Sequence, residues 1–265
     1  MGHTARRADA CRPPQPPVSF WDGVIIVIAG MAAGTINTVV GSGSLITFPM
    51  LLTLGYPPVL ANVSNNIGLV PGAISGVYGY RRELVGQRGR IMRLAPLSAV
   101  GALTGALLLL VLPSAVFKRV VVVLIVIALV LVVLGPRLSR RLARPHEGHA
   151  RISLTLVVLV GLAGIYGGYF GAAQGIILIA LLGIFVLDDL QRLNATKNVL
   201  AMTVNIVASV VFVFATHVDW AVAGCIAAGS IVGGQIGATF GRRLDPRALR
   251  VVIVVVGLTA LIRLL

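Results

Sequence analysis

The sequence predicts an all-α polytopic membrane protein built from two inverted-topology repeats of about five helical segments each. Three observations lead to this prediction. The chain is 57% apolar with a mean hydropathy of +0.98, and only 11% of its 265 residues are charged, whereas a soluble domain has about a quarter. The second half of the chain repeats the first. Basic residues also crowd loops that are not equivalent in the two halves.

Charge-free stretches supply the membrane spans. The two longest run from Gly23 to Tyr80 and from Ile152 to Leu187, and a helix needs about 20 apolar residues to cross a bilayer. The lipid bilayer is therefore the expected surroundings of the chain. The 31 glycines predict close packing between helices, because small residues let membrane helices approach each other.

An internal duplication relates residues 62–120 to residues 194–252 with a constant shift of 132 positions. The clearest matches are Asn62-Val-Ser64-Asn65-Asn66 with Asn194-Ala-Thr196-Lys197-Asn198, Gly101 with Gly233, Gly105 with Gly237, and Gly43 with Gly175. Two like apolar halves are typical of secondary transporters, whose binding sites lie between the halves.

Gly and Pro residues divide each repeat into five apolar segments. We expect the first repeat (22–137) to contain segments 22–40, 43–56, 60–80, 93–112 and 116–137, and the second (152–265) to contain 152–172, 174–188, 193–216, 219–241 and 249–265. The second segment of each half covers only about two-thirds of a 30 Å core. Such short segments predict broken or re-entrant helices near the midplane, giving 8–10 segments in total. Residues 1–21 are predicted to form a disordered basic, Pro-rich tail, and residues 138–151 a basic cytoplasmic linker.

Loop charges determine the relation between the repeats. The loop after the third segment is basic in the first half and lacks Lys and Arg around His217 in the second, and the next loop reverses this pattern. The basic residues concerned are Arg81, Arg82, Arg88, Arg90 and Arg93, and then Arg242, Arg243, Arg247 and Arg250. Basic loops belong in the cytoplasm, so equivalent loops are expected on opposite sides. With five crossings per half, both termini lie outside.

The net charge of +14 is explained by these loops, so we predict no nucleic-acid partner. Cys11 and Cys225 are far apart in the sequence and indicate no disulfide, metal site or cofactor. The run Gly41-Ser42-Gly43-Ser44 lacks the Gly-Lys-Ser/Thr ending of a phosphate loop. No catalytic arrangement of Ser, His, Cys or carboxylate is recognisable, so an enzyme is not expected.

The repeated polar run is the first candidate for a substrate site. Amide side chains within an apolar segment need a partner or a water-filled cavity. The candidates are Asn62, Ser64, Asn65 and Asn66 in the first copy and Asn194, Thr196, Lys197 and Asn198 in the second. Helix capping and hydrogen bonding between helices are the alternative roles of these residue types.

Lys197 is the most informative single residue. A lysine within a span costs about 2.5–3.5 kcal/mol to insert, so it is expected to face a cavity, a counter-charge or an anion. The alternatives are a side chain that reaches the membrane boundary or one paired with Asp188 or Asp189. An ammonium beside amides, hydroxyls and helix N-termini suits a small oxyanion.

The breaks before the two short segments add further candidates. Gly41 and Gly43 lie in the first break and Gln174 and Gly175 in the second. Such breaks free backbone N–H groups to bind a ligand. Asn37, just before the first break, is expected to point inward.

The same residues resemble the sulfite exporter TauE/SafE family of membrane proteins. The resemblance is carried by Ala33-Gly34-Thr-Ile-Asn37-Thr38-Val-Val-Gly41-Ser-Gly43-Ser-Leu-Ile-Thr-Phe-Pro49, Leu54-Gly55-Tyr-Pro57-Pro58, Ala61-Asn62-Val-Ser64-Asn65, Gly167-Gly168-Tyr-Phe-Gly171-Ala-Ala-Gln-Gly175 and Asn194-Ala-Thr196-Lys197-Asn198. It covers residues 22–265 and implies a multi-pass bacterial inner-membrane transporter of sulfite or small organosulfonates.

Two other functions remain open from the sequence. The chain could instead be a non-transporting membrane subunit that anchors another complex, or a transporter of a different small anion or solute. The scarcity of carboxylates in the spans argues against a divalent metal as that solute. A homo-oligomer is compatible with the sequence.

Overall fold

The computed structural model describes residues 19–142, 153–241 and 246–264, and every regular element in these ranges is an α-helix. The helices of these ranges are α1 Phe20–Val39, α2 Ser44–Thr53, α3 Pro58–Gly79, α4 Arg88–Val111, α5 Ser114–Leu142, α6 Leu154–Tyr169, α7 Gln174–Phe185, α8 Leu190–Ala215, α9 Trp220–Phe240 and α10 Pro246–Leu264. Each predicted apolar segment corresponds to one helix, so the all-α polytopic class is confirmed.

Four of the described helices, α1, α4, α8 and α9, are long and apolar enough to cross a membrane. α3 is also 22 residues long but contains the polar run 62–66. α5 continues to Leu142, past the boundary predicted at residue 137. The predicted tail and linker lie mostly outside the described residues.

Local signals explain where several helices begin. α3 begins at Pro58, whose fixed φ suits the first turn of a helix. Asp189 caps α8 by accepting a hydrogen bond from the N–H of Gln191 at 2.9 Å. Asp219 caps α9 by accepting from the N–H of Val222 at 3.0 Å. Both carboxylates satisfy N–H groups that the helix itself leaves unpaired.

Glycines bring helices of opposite halves into backbone contact. A Cβ built on Gly34 of α1 would lie 2.5 Å from the carbonyl oxygen of Ser230 in α9. One built on Gly164 of α6 would lie 2.5 Å from the carbonyl oxygen of Ser98 in α4. Thus the first helix of each half packs on the fourth helix of the other half, with the same closeness in both places.

The partners in these two pairs run parallel. Successive contacts advance together along both helices: Gly30–Ile226 then Gly34–Ser230, and Gly101–Gly161 then Gly105–Ile165. The third helices of the two halves behave differently. Asn66 Oδ1 accepts from Ser209 Oγ at 2.8 Å, whereas Asn194 Nδ2 donates to the hydroxyl of Tyr80 at 2.9 Å. Since the start of α3 lies near the end of α8 and the end of α3 near its start, these equivalent helices run antiparallel.

The first helices of the two halves end in the same conformation. Gly41 has φ +88° and Gly171 has φ +77°, and both N–H groups bond to a carbonyl five residues back, at Ile36 (3.0 Å) and Tyr166 (3.2 Å). These positions are 130 apart, not the 132 that relates Asn62 to Asn194. The predicted match of Gly43 with Gly175 is therefore wrong by two residues.

The residue equivalent to Gly43 is Ala173, because each is the N-cap of the short helix that follows. Ala173 has φ +60°, a backbone conformation that residues other than glycine rarely adopt. The two additional residues of the second half lie between the start of α7 and the start of α8. A continuous shift of 132 hid this insertion.

The short helices α2 and α7 have 10 and 12 residues, which corresponds to about 15 and 18 Å. Each therefore covers about half of a 30 Å hydrocarbon core. α2 leads to the start of α3 and α7 leads to the start of α8. Because α3 and α8 are antiparallel, the two short helices lead to opposite ends of the helical bundle.

Candidate functional site

The two breaks touch each other between the halves. The N–H of Gly175 donates to the carbonyl oxygen of Gly41 at 3.0 Å. A Cβ on Gly41 would lie 2.3 Å from the Cα of Gly175, and one on Gly175 would lie 2.4 Å from the Cα of Gly41. Only glycine at both positions permits this approach. The N-terminal ends of α2 and α7 consequently meet at one place, which we call the break junction (residues 41–44 and 173–175).

The second polar cluster binds the C-terminal end of α1. Lys197 Nζ donates to the carbonyl oxygens of Asn37 at 3.2 Å and Thr38 at 3.1 Å. Asn194 Nδ2 and Asn198 Nδ2 each donate to the Thr38 oxygen at 3.2 Å. The last carbonyls of a helix lack partners within it and carry partial negative charge. The ammonium and both amides therefore cap α1 across the interface between the halves.

Lys197 is completely buried, with 0% exposure. Its Nζ donates to α1 carbonyls, and no acidic side chain among the described residues pairs with it. Its third N–H can still donate to another acceptor. Asp188 instead pairs with Arg90 at 2.9 Å and Arg192 at 2.8 Å.

The first polar cluster caps the equivalent helix with a single amide. Asn62 Nδ2 donates to the carbonyl oxygen of Tyr169, the last residue of α6, at 3.1 Å. Asn65, at the position of Lys197, accepts a hydrogen bond from the hydroxyl of Thr47. Asn66 accepts from Ser209. No charged group takes part in these described contacts.

Each of the two hydroxyls of the repeated run bonds to the N-cap residue of the fourth helix of the other half. Ser64 Oγ accepts from the N–H of Asp219 at 3.0 Å, and Asp219 is the N-cap of α9. Thr196 Oγ1 donates to Gln87 Oε1 at 2.6 Å, and Gln87 is the N-cap of α4. Both contacts join opposite halves at equivalent positions, which indicates a structural role for Ser64 and Thr196.

The two clusters do not meet in one pocket. Asn66 lies beside Ser209, which is twelve residues beyond Lys197 on α8, or about 18 Å along the helix axis. Each cluster lies at the interface of the halves, on its own side of the molecule. The break junction adjoins both, because Gly41 follows Thr38 by three residues and Gly175 follows Tyr169 by six.

The break junction contains buried polar groups that lack a protein partner. Ser42 Oγ and Gln174 Nε2 make no hydrogen bond within the described residues, although Ser42 is only 1% and Gln174 only 2% exposed. Buried polar atoms in this state are rare and call for a ligand or water. Gly167 makes room for the Gln174 amide, because a Cβ there would lie 2.3 Å from Gln174 Cδ.

Of the remaining predicted site residues, Gly43 and Asn37 pack against each other. A Cβ on Gly43 would lie 2.8 Å from Asn37 Cβ. Asn37 is partly exposed and offers its carbonyl to Lys197. Sequence reasoning left Ser42 out of the candidate site. Its position between two glycines of the break was the signal that could have included it.

Polar contacts also join the halves around Arg90, Asp188 and Arg192, which we call the basic end of the molecule. Burial raises the pKa of Asp188, but hydrogen bonds from Arg90 and the Asp189 N–H, with the charges of Arg90 and Arg192, more than offset this and hold the pKa below its usual value. Arg192 also donates to the Val85 carbonyl at 3.2 Å. The described residues contain no group of three or more His, Cys, Asp or Glu that could hold a metal ion.

Comparisons with known proteins match almost the whole chain. The family described as Sulfite exporter TauE/SafE matches residues 26–264. The chain is 28% identical over 244 residues to the probable membrane transporter protein ORF9 of Sinorhizobium sp, covering 91% of each chain. It is 27% identical over 242 residues to the probable membrane transporter protein YfcA of Escherichia coli strain K12, covering 88% of this chain and 86% of the relative.

A probable membrane transporter protein of Haemophilus influenzae is 29% identical over 221 residues, covering 81% of this chain and 83% of the relative. No solved structure matches the chain.

Proposed function

The chain belongs to the TauE/SafE sulfite exporter family, and we propose that this membrane transporter carries small sulfur-containing anions such as sulfite or organosulfonates. We place it in the bacterial inner membrane as a secondary transporter with a binding site at the break junction. Transport proceeds by alternating access as two inverted repeats rock about that site. The family membership supports the substrate class, and the break junction supports the location of the site.

The observation that carries the proposal is the meeting of two half-length helices at their N-terminal ends. The Gly41–Gly175 hydrogen bond joins them, and each N-terminus carries partial positive charge. Two such ends at one place form an environment that favours an anion. The unpartnered Ser42 and Gln174 groups supply further donors there.

The antiparallel course of α3 and α8 supports the inverted arrangement. Their contacts cross from one half to the other at Asn66–Ser209 and Tyr80–Asn194. In an inverted pair, each conformation of one half can be adopted by the other with the membrane sides exchanged. Such an exchange would move access to the break junction from one side of the membrane to the other.

Lys197 has an indirect role in this proposal. Its ammonium holds the carbonyls of Asn37 and Thr38, which lie four and three residues before Gly41. It thereby fixes the end of α1 that leads into the break and adds positive potential near it. Asn194 and Asn198 assist at the same carbonyl, and Asn62 does so for α6.

The proposal is tested by flux into proteoliposomes. Purified protein is reconstituted, and uptake of labelled sulfite, thiosulfate, taurine and methanesulfonate is measured with and without an imposed membrane potential. We expect saturable uptake of at least one of these anions. The Gly175→Ala variant should lose it because the added Cβ separates the breaks, whereas Gly183→Ala should retain it because nothing lies within 4 Å of that position. Vesicles that take up none of the anions would overturn the proposal.

A further inference from the structure

We propose that the break junction recognises its anion through hydrogen-bond donors without a carboxylate acceptor, and so selects a fully ionised sulfonate-type head group over one that keeps a proton. This inference rests on the proposed transport function and adds the property by which the site distinguishes sulfur oxyanions from phosphorus oxyanions.

The described acidic residues lie away from the break junction. Among the described residues, the carboxylates are Asp22, Glu83, Asp188, Asp189 and Asp219. Asp22 lies in the first turn of α1, sixteen residues and so about 24 Å before Thr38. The other four lie in connections between helices. The described part of the junction therefore contains no carboxylate.

The break junction offers an anion two buried side-chain donors. The Ser42 hydroxyl and the Gln174 amide N–H are buried and unpartnered, and both can donate. The carbonyl oxygen of Gly41 is already used by the N–H of Gly175. Oxygens that carry no proton can accept all of these donors. An oxyanion that keeps a P–OH needs an acceptor in return, and the described part of the junction offers neutral oxygens but no carboxylate.

The chemistry of two matched anions converts this difference into selectivity. In mildly acidic buffer, methanesulfonate and methylphosphonate are both monoanions of nearly the same shape, but only methylphosphonate keeps a hydroxyl. Burying that hydroxyl without a good acceptor should lower affinity by about fivefold to 150-fold, the equivalent of about 1–3 kcal/mol. Because charge and size are matched, a difference between the two anions reports hydrogen-bond character.

The experiment measures the Kd of each anion by isothermal titration of the detergent-purified full chain. We expect methanesulfonate to bind at least about fivefold more tightly than methylphosphonate. Ser42→Ala should weaken methanesulfonate binding and bring the two Kd values closer, because a donor is lost. Gly167→Ala should do the same without changing a polar group, because its Cβ displaces the Gln174 amide.

Gly183→Ala is the matched control on the helix that begins with Gln174, and it should leave both Kd values unchanged because its Cβ meets nothing within 4 Å. Equal binding of the two anions by a protein that transports sulfite would overturn this inference and leave the transport proposal in place. Unchanged selectivity in both Ser42→Ala and Gly167→Ala would have the same consequence. Failure of every sulfur anion to bind and to cross proteoliposomes would remove both proposals.

Discussion

The two halves of the molecule secure the ends of their first helices to different degrees. At the end of α1, three side chains of the other half, Asn194, Lys197 and Asn198, donate four hydrogen bonds to two carbonyls. At the end of α6, Asn62 donates one. The helices themselves pack with equal closeness, as Gly34 and Gly164 show. The halves are thus alike in packing and unlike in polar capping.

The contacts that both halves keep are thereby separated from the contacts that have diverged between them. Backbone contact between parallel helices depends on small residues and is retained in both halves. A capping contact needs only a donor, so an amide in one half and an ammonium in the other both serve. The unequal caps also imply that the end of α1 is held to the other half more firmly than the end of α6.

The largest expected effect is at the position where the halves differ most. Lys197→Ala removes two charge-assisted bonds from a completely buried site, and we expect a loss of about 2–4 kcal/mol in unfolding free energy. Asn65→Ala, at the equivalent position, removes one bond with Thr47 and should cost about 1 kcal/mol. Denaturant titration in detergent measures both. Equal losses would show that the asymmetry of the caps has no energetic meaning.

The packing contacts should respond alike in the two halves. Gly34→Ala and Gly164→Ala each place a Cβ 2.5 Å from a carbonyl oxygen, and each should destabilise the protein by about 1–3 kcal/mol through overpacking. Gly183→Ala has open space and should be neutral or stabilising, since alanine favours helix. Thermal unfolding of the three variants checks this. A loss confined to one of the two packed variants would contradict the equal packing.

For the equivalent amides Asn62 and Asn194, the larger loss of stability is expected in the other cap: Asn62, which caps α6, should matter more than Asn194, which caps α1. Asn62 is the one described side-chain donor to the Tyr169 carbonyl, so Asn62→Ala should cost about 1–2 kcal/mol by leaving that acceptor unsatisfied. When Asn194 is removed, the Thr38 carbonyl keeps Asn198 and Lys197, and the Tyr80 hydroxyl keeps its bond to Gln191 Oε1 at 3.3 Å. Asn194→Ala should therefore cost less than Asn62→Ala in the same denaturant titration. The reverse order would argue against capping as the role of these amides.

The smallest effect concerns the ion pairs at the basic end of the molecule, where Asp188 contacts Arg90 and Arg192. The pKa of Asp188 is lowered in the folded protein, so its contribution is complete above the unfolded value of about 3.8 and is lost as the pH falls through the folded pKa. Asp188→Asn should lower stability modestly at neutral pH and should flatten the acid limb of the stability profile. An unchanged acid limb would exclude Asp188 as its source.

Much of the fold could be predicted because the length of each apolar segment, and the glycines that separate segments, determine helix boundaries through nearby residues alone. All ten predicted segments are helices, and the sequence places Gly41 and Gly175 in the two breaks. The insertion of two residues in the second half was missed because Gly41 and Gly171 are recognised as equivalent by their backbone angles, and the sequence around them offered a competing alignment.

The location of the polar clusters could not be predicted for a different reason. An Asn or Lys in a span requires a partner, but the sequence does not tell whether that partner is a ligand or a helix end. Lys197 found the carbonyls of α1, and Asn62 found that of α6. The separation of these caps follows from the direction of α3 against α8, which only three-dimensional contacts reveal.

Cysteine labelling from one side of the membrane determines whether the two halves enter it in opposite directions. In a background without Cys11 and Cys225, single cysteines replace Val85 and His217, which are exposed and 132 positions apart in equivalent loops. A membrane-impermeant maleimide is added to intact cells. We predict labelling of His217→Cys in intact cells and of Val85→Cys only after lysis. Labelling of both from the same side would contradict the inverted arrangement and the site built on it.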